Sequence, residues 1–185
     1  MISIIIPLMG EYPVRQCIES LKKQAADIEI IVEEQEVEEF INKNRLYNKG
    51  IARSSGEIIW FCDADYTLDD PNFLENMSDE LDEVIYPCFY SRAKKDFKIA
   101  DGGPMFKREV IERHGPLDES LIGISWVTFP FLKWCMDNTN FKYDKRFIIN
   151  HHNFKIGRTR HQKTSSKLRP IYKEVGRKLD ELSDM

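Results

Sequence analysis

Five apolar residues in a row, Ile58, Ile59, Trp60, Phe61 and Cys62, run straight into Asp63-Ala64-Asp65. A strand with one wet face alternates apolar and polar residues. An unbroken run of this kind suits a strand buried on both faces, as in a parallel α/β sheet. Two further runs repeat the theme: Ile2 to Pro7, stopped by Pro7 and Gly10, and Ile28 to Val32. Between these runs the period changes. Tyr12 to Gln24 carries Val14, Cys17, Ile18 and Leu21 on one helical stripe, and Val37 to Ala52 offers Phe40, Ile41, Leu46 and Ile51. Ser54-Ser55-Gly56 ends the second helix. The order β-α-β-α-β with short connections is that of a right-handed parallel α/β unit.

The second half is less regular. Pro71 to Leu81 predicts a short helix with Pro71 near its first turn, and Val84 to Tyr90 predicts a strand. Gly102-Gly103-Pro104 marks a tight backbone feature before a short helix at Lys107–His114. Trp126 to Met136 reads as helix provided that Pro130 lies in its first turn or kinks it, and Phe141 to Asn150 as a last strand. Ile156 to Arg169 is basic and polar, and Ile171 to Leu182 suits an amphipathic helix.

At 185 residues the expectation is one domain with a real core. No apolar stretch reaches the roughly 18 to 20 residues that cross a bilayer. The opening MISIIIPLMGEY lacks a basic region and a small-residue cleavage site, so it reads as strand. Cys17, Cys62, Cys88 and Cys135 are scattered without a C-x-x-C pair. That favours reduced thiols in a cytoplasmic protein over a zinc site.

Charge is unevenly placed around a net −4. Glu29, Glu33, Glu34, Glu36, Glu38 and Glu39 make the early part acidic, whereas the tail beyond His151 is rich in Lys and Arg. Such a tail suits contact with phosphate, nucleic acid or an anionic membrane surface, or is simply a solvated face. Asp63 and Asp65 fall just beyond the carboxyl end of a predicted strand, where open α/β sheets bind ligands. Two carboxylates there suit an oxygen-ligated divalent cation carrying phosphate; alternatively they open a loop and cap the next helix.

With the strands placed, the segments line up with a family. SIIIPLMGEYPVRQCIESL resembles the opening strand and helix of GT-A glycosyltransferases of the family 2 type. EIIVEEQ, followed by FINKNRLYNKGIARSSGEIIWFCDAD, is similar to the nucleotide-binding half of that family and to the β-1,4-galactosyltransferase branch. GGPMFKREVIERHGPLDESL resembles the acceptor-side segment. The resemblance implies a GT-A, Rossmann-like α/β fold: a mostly parallel central sheet flanked by helices in a single domain over residues 1–152. Residues 1–100 would form the nucleotide-sugar half and 101–152 the acceptor side, with 153–185 as a basic loop and terminal helix packed on or appended to it.

It also implies a metal-dependent transferase, using Mn²⁺ or Mg²⁺ and a nucleoside-diphosphate sugar, UDP-linked. The acceptor would be a glycan, lipid, protein or nucleic acid. Asp63 would contact ribose and the metal, with Ala64 between, and Asp65 would ligate the metal. IINHH places His152 first and His151 second as a late metal ligand, or both are surface histidines. Pro7, Leu8, Met9 and Glu11 match the first nucleotide loop. Glu33 and Glu34 replace an aspartate pair that accepts from uracil, or are helix N-terminal charges. Arg45 and Lys49 lie where uridine or phosphate is reached, or are solvated. Gly102 and Gly103 would let backbone approach the sugar, or form a plain turn. Arg158, Arg160 and His161 would close over the diphosphate.

The pattern breaks at the acceptor side. Inverting members carry an acidic pair at the start of the following helix, where this chain has Ser125-Trp126-Val127-Thr128. Neither Val nor Thr deprotonates a hydroxyl near neutral pH. The base is then displaced to Asp101, Asp118 or Glu119, or the enzyme is retaining, or the chain binds a nucleotide sugar without transferring it. Trp126 and Thr128 remain candidates for the acceptor side, Trp126 as a sugar platform or a core residue. A nucleotidyltransferase is a second enzyme class with the same layout, but PLMGEYP is a poor match to its Gly-rich, basic loop.

Overall fold

The structure is a computed structural model that describes residues 1–9, 14–35, 42–91, 96–98, 103–121, 127–152 and 168–183. Three strands confirm the opening unit: β1 (Ile2–Met9), β2 (Ile28–Gln35) and β3 (Ile58–Phe61), with α1 (Val14–Leu21) and α2 (Lys43–Arg53) between them. Both neighbours run parallel to β1, Ile2 standing level with Ile28 on one side and Ile58 on the other. β1 and β2 stay paired to Met9 and Gln35, whereas β3 leaves the ladder at Phe61, opposite Ile5.

The remaining elements are β4 (Tyr66–Thr67), α3 (Phe73–Asp79), β5 (Val84–Ser91), β6 (Asp96–Lys98), β7 (Met105–Lys107), α4 (Arg108–His114), α5 (Phe129–Asn138), β8 (Phe141–His151) and α6 (Arg169–Ser183). Together they complete one sheet in the order β2-β1-β3-β7-β5-β8-β4, with β6 pairing β5. β5 and β8 are parallel to each other, while β7, β4 and β6 run against their neighbours. Five of the eight described strands therefore share one direction, and the expected mostly parallel GT-A layout is present.

Continuous apolar runs build the core as expected. Ile4, Ile6, Trp60 and Cys62 pack on one side of the sheet with Cys17 and Leu21 of α1; Ile5, Ile59 and Phe61 pack on the other with Tyr47 of α2. α2 comes close because residue 50 is glycine: a Cβ there would lie 2.2 Å from Cγ2 of Ile5. The Sγ atoms of Cys17 and Cys62 lie 3.7 Å apart in this core. Pro130 sits in the first turn of α5, the one helical place that tolerates a missing N–H.

α6 is part of the fold. Val175 and Leu179 are buried in the core, and Phe129 of α5 meets Tyr172 edge to face at 5.3 Å. Lys178 pairs with Asp137 of α5, and Lys133 of α5 reaches Glu174 at 3.1 Å. Part of the tail's positive charge is thus used inside the domain. Among the described residues, no helix is long and apolar enough to cross a membrane.

Candidate functional site

Asp63, Ala64 and Asp65 form the turn by which the chain passes from β3 to β4. Cys62 N–H donates to the Ile5 carbonyl at 3.0 Å, holding the chain to β1 one residue beyond the strand. Tyr66 N–H then donates to the Asp63 carbonyl at 3.1 Å, reversing direction. β4 pairs antiparallel with the end of β8, Tyr66 opposite His151 and Thr67 opposite Asn150. His152 N–H donates to the Asp65 carbonyl at 3.0 Å. A local turn in the first half of the chain and a strand end from the second half therefore meet at one point.

Asp65 is only 7% exposed, and its Oδ2 lies 2.9 Å from Nε2 of His151. Nε2 of His152 lies instead 2.8 Å from the Thr67 hydroxyl. His151 is thus the histidine whose ring meets the aspartate, and His152 is directed to β4.

Asp63 is held from the α2 side. Nζ of Lys43 lies 2.7 Å from its Oδ1 and donates to its Oδ2 at 3.0 Å, while Tyr47 hydroxyl donates to Oδ1 at 3.1 Å. Lys43 is 1% exposed, an expensive position for an ammonium unless an anion shares it. Positions 43 and 47 share a helix face four residues apart. Tyr47 stacks on Phe61 at 4.0 Å, so the rigid end of β3 fixes the hydroxyl. Sequence reading passed over both residues, because the polar run KNRLYNK looks like a solvated face. The available signal was the Lys–Tyr spacing of four upstream of the aspartates.

Three asparagines of the same segment tie α2 to the loop after α4. Asn42 amide donates to the Glu119 carbonyl at 2.7 Å, and Asn44 amide to the carbonyls of Asp118 at 2.9 Å and Val127 at 3.1 Å. Asn48 amide donates to the Leu117 carbonyl at 2.9 Å and to Glu119 Oε1 at 2.8 Å. Asp118 turns its carboxylate on its own loop and accepts from Ser120 N–H at 2.9 Å. Hydrogen bonds from Ser120 hold its carboxyl below the usual carboxylate range, which weakens it as a proton acceptor. Both acids are engaged in shaping this loop.

The other nucleotide-side residues fall at the strand ends. Pro7 is buried, Leu8 is half-buried opposite Glu34, and Met9 ends β1 opposite Gln35. Glu33 is buried and paired with Arg53 at 2.6 Å; Glu34, Arg45 and Lys49 are exposed. Ala64 is buried under the turn, and Thr128 is buried at the start of α5. Gly103 has φ +104°, and its carbonyl accepts from Trp60 Nε1 at 3.0 Å. A Cβ there would stand 2.2 Å from Cζ of Phe89, so the close approach seen at Gly103 is to that ring. Glu11, Asp101, Gly102, Trp126, Arg158, Arg160 and His161 lie outside the described residues.

Donor chemistry at the turn fits a divalent cation. Ligand atoms bound at about 2.0 to 2.2 Å lie roughly 3 Å from one another, which is the separation of Asp65 Oδ2 and His151 Nε2. Two protein donors leave room for phosphate oxygens and water. Among the described residues no group of three or more His, Cys, Asp or Glu side chains is gathered for a metal. Asp63, already neutralised by Lys43, is the less available of the two aspartates.

Beneath the turn, Tyr66 is buried between Phe89 and His151, with both rings 5.2 Å away, and its hydroxyl has no hydrogen-bond partner among the described residues. Burial pushes its pKa well up, so the group stays neutral. A desolvated hydroxyl without a partner costs stability. Tyr66→Phe should therefore leave the melting temperature unchanged or raise it by a few degrees, measured by calorimetry. A drop of several degrees would show that the hydroxyl is satisfied in solution.

Comparison with known proteins follows the same lines. The model for the family described as Glycosyl transferase family 2 matches residues 38–134. By sequence, no curated protein matches this chain. Among solved structures, S. aureus TarS 1-349 in complex with UDP-GlcNAc superposes with TM-score 0.69 at 12% identity, covering 94% of this chain and 65% of that one. A variant of Drosophila β1,4-galactosyltransferase 7, in complex with manganese, UDP-Gal and xylobiose, gives TM-score 0.63 at 17% identity, over 91% and 79% of the two chains. Mannosyltransferase PcManGT from Pyrobaculum calidifontis, in complex with GDP-Man and Mn²⁺, gives 0.59 at 13%, over 84% and 58%. Against two TarS structures the chain spans 36% and 60% of their length. At these identities the likeness is one of fold.

Proposed function

The chain belongs to glycosyl transferase family 2, and from that premise we propose that it uses a UDP-linked sugar as donor in a metal-dependent transfer, with Asp65 and His151 holding Mn²⁺ or Mg²⁺. One observation carries this reading: a nearly buried carboxylate at the end of β3 meets an imidazole at 2.9 Å, at the rim where α/β sheets bind ligands. When bound, the cation supplies charge neutralisation for the diphosphate leaving group. Asp63, fixed by Lys43 and Tyr47, is oriented to accept from a ribose hydroxyl. Leu8 and Met9 with Glu33 and Glu34 form the side that receives the base, Glu33 being held in place by Arg53. The complexes of TarS with UDP-GlcNAc, and of the manganese-bound galactosyltransferase 7 variant with UDP-Gal, support the donor class and the metal.

The absence of an acidic pair at Ser125 to Thr128 leaves the acceptor step to a group elsewhere; Asp101 and Glu119 remain candidates, as does Asp118, which its hydrogen bonds from Ser120 weaken as a base. It also sustains a second reading, a donor-binding domain without transfer. A thermal-shift screen of UDP-, GDP- and dTDP-sugars with and without Mn²⁺, followed by donor hydrolysis, separates the two. The proposal expects one UDP-sugar to raise the melting temperature only with metal present and to be hydrolysed slowly. Stabilisation without hydrolysis, or without transfer in an acceptor screen, favours the binding domain. No shift with any nucleotide overturns both.

A further inference from the structure

The register of β4 against β8 sorts the polar groups near the aspartate turn onto two faces. Tyr66 stands opposite His151, and Thr67 opposite Asn150. Directly opposed residues of an antiparallel pair share a face, and neighbours along a strand take opposite ones. The rings of Tyr66 and His151 accordingly meet edge to face at 5.2 Å. Thr67 and His152 meet on the other face, at 2.8 Å. The face of Tyr66 is thus the one from which His151 Nε2 reaches Asp65 Oδ2 at 2.9 Å.

On that face Asp65 and His151 have each other, whereas the buried Tyr66 hydroxyl has no hydrogen-bond partner among the described residues. The side chain is not at liberty to find one in solvent. Tyr66 is 1% exposed, Phe89 packs against its ring at 5.2 Å, and its N–H is tied to the Asp63 carbonyl. Phenylalanine would fill the same space with no polar atom to desolvate. A buried hydroxyl left unpaired costs stability, and an orphan of this kind calls for a reason other than packing. Its position supplies one, for it directly follows Asp65 in the chain and adjoins His151 in space.

We propose that Tyr66 is a positioning residue of the cation site: its hydroxyl donates to an oxygen ligand, water or phosphate, of the divalent cation that Asp65 and His151 hold. The inference rests on the cation reading above and adds to it a residue that an aspartate–histidine donor set does not by itself require. Partners that hydrogen-bond to a metal's ligands fix their orientation, and losing one typically costs about 10- to 100-fold in metal affinity. The two states of the protein then carry opposite consequences for one hydroxyl. Without the cation it is an unsatisfied group that weakens the fold; with the cation it is a bond that the loaded site gains.

The test compares the full chain with its Tyr66→Phe variant, with and without metal. In EDTA, Tyr66→Phe should melt at or above the parent. Titrated with MnCl₂ and followed by the EPR signal of free Mn²⁺, it should bind about tenfold more weakly. A gap seen with Mn²⁺ alone marks water as the acceptor of the hydroxyl; one seen only with UDP added marks a phosphate oxygen. Tyr143→Phe removes a hydroxyl that meets Cys88 Sγ at 3.6 Å elsewhere on the sheet, and should leave Mn²⁺ affinity unchanged. Equal Mn²⁺ affinity of parent and Tyr66→Phe under both conditions would overturn the role of Tyr66 and leave the cation reading standing. So would an equal loss in Tyr143→Phe, or a Tyr66→Phe protein that melts several degrees below the parent in EDTA. No Mn²⁺ binding by the parent, or binding as tight after Asp65→Ala, would overturn the cation reading and this proposal with it.

Discussion

Asp65→Ala is expected to lower metal-stimulated donor hydrolysis by on the order of 10²- to 10³-fold, the loss typical when one group aimed at developing charge is removed. The side chain carries little of the fold: among the described residues it meets His151, and the backbone bonds that shape the turn do not involve it. The melting temperature should therefore shift by only a few degrees. His151→Ala should follow Asp65→Ala in direction, and raise the Mn²⁺ concentration needed for half-maximal stimulation. His152→Ala should do neither, because its ring is directed to Thr67. Activity of Asp65→Ala above a tenth of the parent would remove the residue from the donor site. Equal losses for the two histidine variants would mean that β8 acts on the site as a whole.

Lys43→Met should produce the largest loss of stability. Methionine fills much of the same volume, so the change isolates the charge. Removing one partner of a buried ion pair leaves the other uncompensated, at about 3 to 5 kcal/mol. Asp63 is 19% exposed and recovers some solvation, which puts the expectation at the lower end, about 3 kcal/mol. For a domain of this size that is roughly 6 to 12 °C in melting temperature. The double variant Lys43→Met with Asp63→Asn removes both charges and should regain more than half of the loss. Donor binding should fall in both variants and stay low in the double variant, because Asp63 is then unable to accept as a carboxylate. A single variant within 2 °C of the parent would show that Lys43 contributes no net stability through Asp63.

Those two expectations rest on residues of unequal visibility in the sequence. Asp65 was legible because a run buried on both faces announces its own end, and the first polar residues after it mark the sheet rim. The three parallel strands of the opening unit were legible for the same reason. β7 was not: Met105 to Lys107 is three residues long, too short for a period, and sits in the sheet because β3 and β5 flank it. Lys43 was not, since nothing local distinguishes a solvated lysine from one that a distant aspartate neutralises. Tertiary pairing decided its burial, and the asparagines at positions 42, 44 and 48 were obscured likewise. The order of the two histidines depended on the register of β8 against a two-residue strand, and a one-residue slip there exchanges the faces.

The level start and unequal length of the first three strands has a mechanical consequence. β1 and β2 run four residues, Ile6 to Met9, past the point where β3 stops, which raises a parapet of about 13 Å beside the aspartate turn. A barrier made of paired strands does not have to be ordered when a ligand arrives, unlike one made of loops. Its conformational entropy was already lost when the chain folded. The nucleotide side of the cleft is therefore stiff by construction, and adaptability is left to whatever faces it across the turn.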